Sequence, residues 1–128
     1  MITLFQAEQI HNILIDNFGG TKGIRDQGGL LSALSRPFQT FEGKDLYETT
    51  VEKAAALLES MLQNHPFVDG NKRTGYVLMR LLLLENGYDI EATQDEKYDF
   101  VISVASGKIQ FDEIVQWLNN HLIRRNGV

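Results

Sequence analysis

The sequence has no cysteine among its 128 residues. Disulfides, zinc–thiolate sites, iron–sulfur clusters and thiol catalysis are excluded together. Only two prolines occur, Pro37 and Pro66, so little interrupts helix formation. Long apolar runs are missing. The longest, Val77 to Leu84, is broken by Arg80 and falls far short of the roughly 18–20 residues of a membrane span. Met1 to Gln6 has neither the basic start nor the long apolar core of a signal peptide, and a cytoplasmic protein is expected. Basic excess is missing too. The 12 Lys and Arg face 17 Asp and Glu, for a formal net charge of −5, which argues against a general nucleic-acid binder.

What is present is the balance of a globular protein, 43% hydrophobic and 23% charged. A single domain over residues 1–128 is expected, large enough to fold without disulfide or structural metal. The apolar spacing is helical along most of the chain. Thr3 with Gln6, Thr49 with Glu52 and Thr93 with Glu96 form three capping boxes that open helices. The first helix is expected to end at Gly19-Gly20, and a short one spans Leu30 to Ser35 before Pro37. The third runs from Thr49 to His65 or earlier, because Pro66 restricts the residue before it. The fourth runs from about Asn71 to Asn86, apolar nearly all round from Tyr76 to Leu84, and is expected to be the buried central helix. A fifth ends at Gly107 and a sixth covers about Phe111 to Ile123. Phe38 to Glu48 alone does not read as helix and is expected to form a small hairpin or ordered loop. The fold class is therefore all-α, about six helices around a central hydrophobic helix, with a short flap.

The segment His65-Pro66-Phe67-Val68-Asp69-Gly70-Asn71-Lys72-Arg73-Thr74 carries the chemistry. It places a histidine at a helix C-terminus, then a tight loop, then a helix that begins Asn-Lys-Arg. Helix N-termini carry unpaired N–H groups and partial positive charge, so Lys72 and Arg73 there add positive to positive. An anion, most naturally phosphate, resolves that conflict. Gly70 allows close backbone approach, Asp69 suits a divalent cation bridging phosphate oxygens, and His65 suits proton removal from a hydroxyl. Each residue alone has an ordinary structural explanation; the joint spacing points to phosphoryl or nucleotidyl transfer.

Other residues are read as structural. His11 and His121 are expected to serve the core or surface, Trp117 to be a core or interface aromatic, and Arg124-Arg125 to close a helix end. Arg25-Asp26 is read as a structural ion pair near the site, with a substrate contact as the alternative. The stretch Glu85 to Asp99, six acids against one lysine, is read as a solvated face.

The loop segment resembles the signature of the Fic/Doc superfamily, His-x-Phe-x-acid-Gly-Asn-x-Arg between two helices of an all-α domain. Arg25-Asp26-x-Gly28-x-Leu30-Leu31, Ala33-Leu34-x-Arg36-Pro37 and Lys53-Ala54-Ala55-Ala56-Leu57-Leu58 extend the likeness to Doc (death-on-curing) toxins over essentially the whole chain. Two departures from the general Fic pattern bear on the reaction. Lys72 stands where most Fic enzymes have glycine, and Tyr76 where they have a second arginine. The resemblance therefore implies a toxin of a toxin–antitoxin module that transfers the γ-phosphate of ATP, with Mg2+, to a threonine of elongation factor Tu and so blocks translation. A Fic-type AMP transferase and a catalytically silent homologue are the alternatives. The implied roles are general base for His65, metal ligand for Asp69, and phosphate binding for Gly70, Asn71, Lys72 and Arg73. Phe67 is implied to be a core anchor and Phe38 to Tyr47 a flap that holds target. The chain has no convincing copy of the Fic inhibitory helix, so inhibition is expected from a cognate antitoxin.

Overall fold

A computed structural model describes residues 1–125. Among them run six helices: α1 Leu4–Phe18, α2 Gln27–Ser35, α3 Thr50–Asn64, α4 Asn71–Glu85, α5 Gln94–Ala105 and α6 Phe111–His121. Two short antiparallel ribbons accompany them, β1 Thr40–Phe41 with β2 Lys44–Asp45, and β3 Tyr88–Ile90 with β4 Leu122–Arg124. The all-α expectation holds. All three capping boxes form, at Thr3, Thr49 and Thr93, each with side chain and backbone satisfying one another.

The helices share one buried cluster. Its most enclosed member is α3, buried continuously from Ala54 to Leu62. The sequence places α4 at the centre; the structure gives that place to α3, with α4 packed antiparallel along it. Ala54, Ala55 and Ala56 are fully buried, and their small side chains let neighbours close on α3 from several sides. A run of leucines marks a helix as apolar, but a run of alanines marks it as approachable.

The flap is a hairpin, as expected. Glu42 and Gly43 both take positive φ, 51° and 78°, the two-residue primed turn whose twist suits a tight ribbon. Its strands are exposed, and Phe41 and Leu46 stand in solvent. The flap base is tied to α3. Arg36, in the 3₁₀ turn Arg36–Phe38 after α2, reaches Glu59 at 2.8 Å and the Tyr47 hydroxyl at 2.9 Å, while Lys53 bonds Asp45 and the Tyr47 carbonyl.

Three further expectations need correction. α2 begins at Gln27 rather than Leu30, because Asp26 caps it by accepting from the Gly29 N–H at 2.8 Å. α6 stops at His121, and Leu122–Arg124 leave the helix to pair with Tyr88–Ile90, so Arg124 and Arg125 do not form a helix end. Of the six acids between Glu85 and Asp99, Asp89 is 3% exposed, within an ion cluster, while the others stay in solvent. Within the described residues no helix is long and apolar enough to cross a membrane.

Candidate functional site: the loop between α3 and α4

The loop's two ends are set by opposite helix termini. α3 ends on His65, which adopts the left-handed conformation at φ 46°, ψ 56°. Histidine is among the few non-glycine types that visit this region with any frequency. Arg25 fixes it there: Nε donates to the His65 carbonyl and Nη2 to the Asn64 carbonyl, both at 2.7 Å. A guanidinium at a helix C-terminus satisfies orphan carbonyls and opposes the negative end of the dipole. Arg25 is thus structural, as the sequence suggests, but its partners are backbone carbonyls and Asp26 is a helix cap; the two residues do not pair. The imidazole of His65 is exposed.

Between the helices the chain is braced along its length by residues 21–26. The Pro66 carbonyl accepts from the Arg25 and Asp26 N–H groups at 2.7 and 3.0 Å, and the Val68 N–H donates to Gly23 at 3.0 Å. Ile24 and Phe67 form an antiparallel bridge. Phe67 is 1% exposed and anchors the loop, as expected. Asn71 closes it. The Asn71 Oδ1 accepts from the Phe67 N–H at 2.9 Å, and its Nδ2 donates to the Phe67 carbonyl at 3.0 Å. The side chain of Asn71 is thereby occupied within the loop, leaving its backbone N–H and one amide hydrogen for a ligand. Replacing Asn71 with alanine strands both backbone groups of a buried residue. The expected loss is roughly 1–3 kcal/mol of stability, measured by urea unfolding; an unchanged midpoint would show the clamp to be dispensable.

α4 then starts without a side-chain cap. Its N-cap is Gly70 in the left-handed region, φ 73°. A Cβ at Gly70 would meet Ile15 Cδ1 at 3.2 Å, so both the backbone conformation and the close approach of α1 favour glycine. Lys72 and Arg73 follow in the first turn, exposed, with the Arg73 guanidinium 4.5 Å over the Phe18 ring. Asp69 is exposed but tightly held. Its Oδ1 accepts from Gly70 N–H at 2.8 Å, its Oδ2 from Thr21 N–H at 3.2 Å, and its carbonyl meets His11 Nε2 at 2.7 Å.

Lys72 and Arg73 also border a cleft of about 340 Å³ between α4 and α5, with Tyr76, Lys97 and Tyr98 among its walls. That volume lies at the small end of the range for small-molecule sites. Burial pushes the Tyr76 hydroxyl above its ordinary value, so it remains protonated, and it has no hydrogen-bond partner. The loop offers an uncapped helix N-terminus, Lys72, Arg73 and the Asp69 carboxylate, and the Lys72 and Arg73 side chains also border the cleft, whose far wall adds Lys97.

The sequence brings His65, Asp69, Gly70, Asn71, Lys72 and Arg73 into one loop, and the structure keeps them there. Sequence reasoning missed what holds the loop: His11, Thr21 and the carbonyl contacts of Arg25. One signal was available. Ala7, His11 and Ile15 recur every fourth residue and are all buried, which puts an imidazole on an otherwise apolar stripe.

The profile of the Fic/DOC family matches residues 2–83, the span from α1 through most of α4, which contains the whole loop and its braces. The chain belongs to the Fic/DOC family. Two relatives within this family align over most of their own length. A protein named Toxin Doc from Mycolicibacterium smegmatis is 40% identical over 99 residues, 76% of each chain. A protein named Protein kinase doc from Escherichia phage P1 is 27% identical over 112 residues, 85% of each chain.

Proposed function

We propose that this protein is a Doc-type toxin of a toxin–antitoxin module, a kinase that moves the γ-phosphate of ATP to a threonine hydroxyl of elongation factor Tu. The observation that carries the reading is Lys72 in the uncapped first turn of α4, one loop away from His65. The names of the relatives, a Doc toxin and a Doc protein kinase, support it. A cognate antitoxin would supply the inhibitory segment.

The residues fit a magnesium ion. Mg2+ is commonly held by one or two carboxylates plus substrate phosphates and water rather than by an all-protein cage. Asp69 is a lone exposed carboxylate, and no cluster of three metal-ligating side chains occurs among the described residues. Each Asp69 oxygen has one backbone donor and keeps a further acceptor site. Bound there, Mg2+ would neutralise phosphate charge.

The chain's own groups do the rest. The N–H groups of the first turn of α4 and the Lys72 and Arg73 side chains bind phosphate oxygens and stabilise charge spread over the transferred group. His65 takes the proton from the target hydroxyl as its oxygen bonds to the γ-phosphorus. The bond from that phosphorus to the β-phosphate oxygen breaks, and ADP leaves. The exposed strands of the flap offer free edges to an extended target segment.

Lys72 sets the orientation by filling the space that inner phosphates would need for nucleotidyl transfer. With ATP labelled separately at the α- and γ-phosphates, Mg2+ and elongation factor Tu, the protein is expected to transfer only γ-label. Label from the α-position would overturn the kinase reading. Lys72→Gly is expected to reduce γ-transfer at least tenfold and to admit α-transfer, with the added mass changing from phosphate to AMP. Loss of γ-transfer with no α-product would sink the steric account.

A further inference from the structure

His11 is the one histidine with no exposed surface, lying in the middle of α1. Its Nε2 is 2.7 Å from the main-chain carbonyl of Asp69. A carbonyl oxygen only accepts, so Nε2 carries the hydrogen. Nδ1 is buried without a partner. The ring lies flat on Phe67, with centroids 3.9 Å apart and planes within 5°. As core filler this is a poor choice. An apolar residue would fill the Ala7–Ile15 stripe without stranding a nitrogen, and stranded buried polar atoms are uncommon because they are costly.

The contact of His11 has a direct geometric consequence. In a planar trans peptide the C=O and N–H point in opposite directions. Holding the Asp69 carbonyl against α1 turns the N–H of Gly70 away from α1, and that N–H donates to Asp69 Oδ1 at 2.8 Å. Thr21 N–H holds the other oxygen. The 69–70 peptide would otherwise be free to rotate, because Gly70 accepts either sign of φ.

We propose that His11 is a positioning residue for this site: its Nε2–H locks the Asp69–Gly70 peptide and thereby sets the direction of the Asp69 carboxylate and the start of α4. This rests on the reading of Asp69 as the magnesium ligand. His11 does not touch substrate. It acts through Asp69, with the Phe67 stack keeping its ring in plane.

Two variants separate the hydrogen bond from the packing. His11→Phe keeps a ring on Phe67 and removes the donor. His11→Gln removes the ring and keeps an N–H near the Nε2 position. In the wild-type protein, nitrogen-15 spectra should show a hydrogen on His11 Nε2. In His11→Phe the Gly70 and Asn71 amide signals should shift or broaden, and the Mg2+ concentration for half-maximal γ-transfer should rise at least tenfold. KM for the protein target should stay within twofold. His11→Gln should recover most of the magnesium response. An Nε2 without a hydrogen in the wild type would overturn the proposal even if both variants misfold. So would an unmoved Gly70 signal with an unmoved magnesium midpoint in His11→Phe, or equal losses in both variants, which would assign the effect to packing. If the wild-type protein transfers no label, the kinase reading fails separately, and the tautomer and Gly70 signals still decide whether His11 locks the peptide.

Discussion

A His65→Asn protein is expected to keep its fold and to lose at least 100-fold in phosphoryl transfer. General-base catalysis contributes on the order of 10²–10⁴ in rate. The choice of asparagine follows from the backbone. His65 sits at φ 46°, where alanine is strained and asparagine is tolerated. Arg25 bonds the carbonyl of residue 65, not its side chain, so the C-terminus of α3 keeps its partner. The ring is exposed and adds little to stability. A thermal melt should therefore match the parent while label transfer and toxicity on expression disappear. A rate within tenfold of the parent would remove His65 from the base role. The same substitution then separates the enzymatic readings from a binding homologue, which would keep its toxicity.

Local signals made most of the fold and the whole candidate loop legible. A capping box is written within four residues, and all three formed. The flap turn is equally local, since a glycine follows the turn's first residue. Pairings across distance were illegible. Tyr88–Ile90 is too short to show alternation, and its partner, Leu122–Arg124, continues a helical spacing until it meets an open edge. Asp26 looked like the neighbour of Arg25, yet each serves a different helix end. The loop could be picked out as a candidate site because its residues are contiguous. Its support was harder to read, because His11 and Arg25 bond the loop's carbonyls and Thr21 uses its own N–H, and a backbone partner leaves no mark in the sequence; only the Ala7, His11, Ile15 stripe hinted at it.

The largest effect on stability is expected at Asp89, which the acid-rich composition around it conceals. Asp89 is buried in the middle of β3. Its Oδ1 accepts from Arg80 Nε at 2.8 Å and from Ile90 N–H at 2.7 Å, and its Oδ2 from Arg80 Nη2 at 3.0 Å and Arg125 Nη1 at 2.6 Å. One carboxylate thus joins α4, β3 and the segment after β4. Asp89→Asn leaves two arginines facing a neutral amide. Removing one partner of a buried pair costs roughly 3–5 kcal/mol. Here the low end, about 3 kcal/mol, is expected, because both arginine side chains keep contact with water. The bidentate bond from Arg80, with the Ile90 N–H and Arg125, outweighs burial and holds the Asp89 carboxyl far below the ordinary carboxylate range. Its folded-state value is depressed, so the stabilisation is complete above the unfolded value near ~3.9. It drains away as pH falls from about 5 toward the folded value. Urea unfolding followed by circular dichroism at pH 7, 4 and 3 should show the parent losing stability faster than Asp89→Asn, the two curves drawing together in acid. Parallel pH dependences would mean that the cluster contributes packing and not charge. Because Arg80 projects from the helix whose first turn carries Lys72 and Arg73, the variant should also weaken transfer, but only where it unfolds. Activity per folded molecule at pH 7 should stay within a factor of about 3, roughly 0.6 kcal/mol, which separates the scaffold's cation pair from the cations of the site.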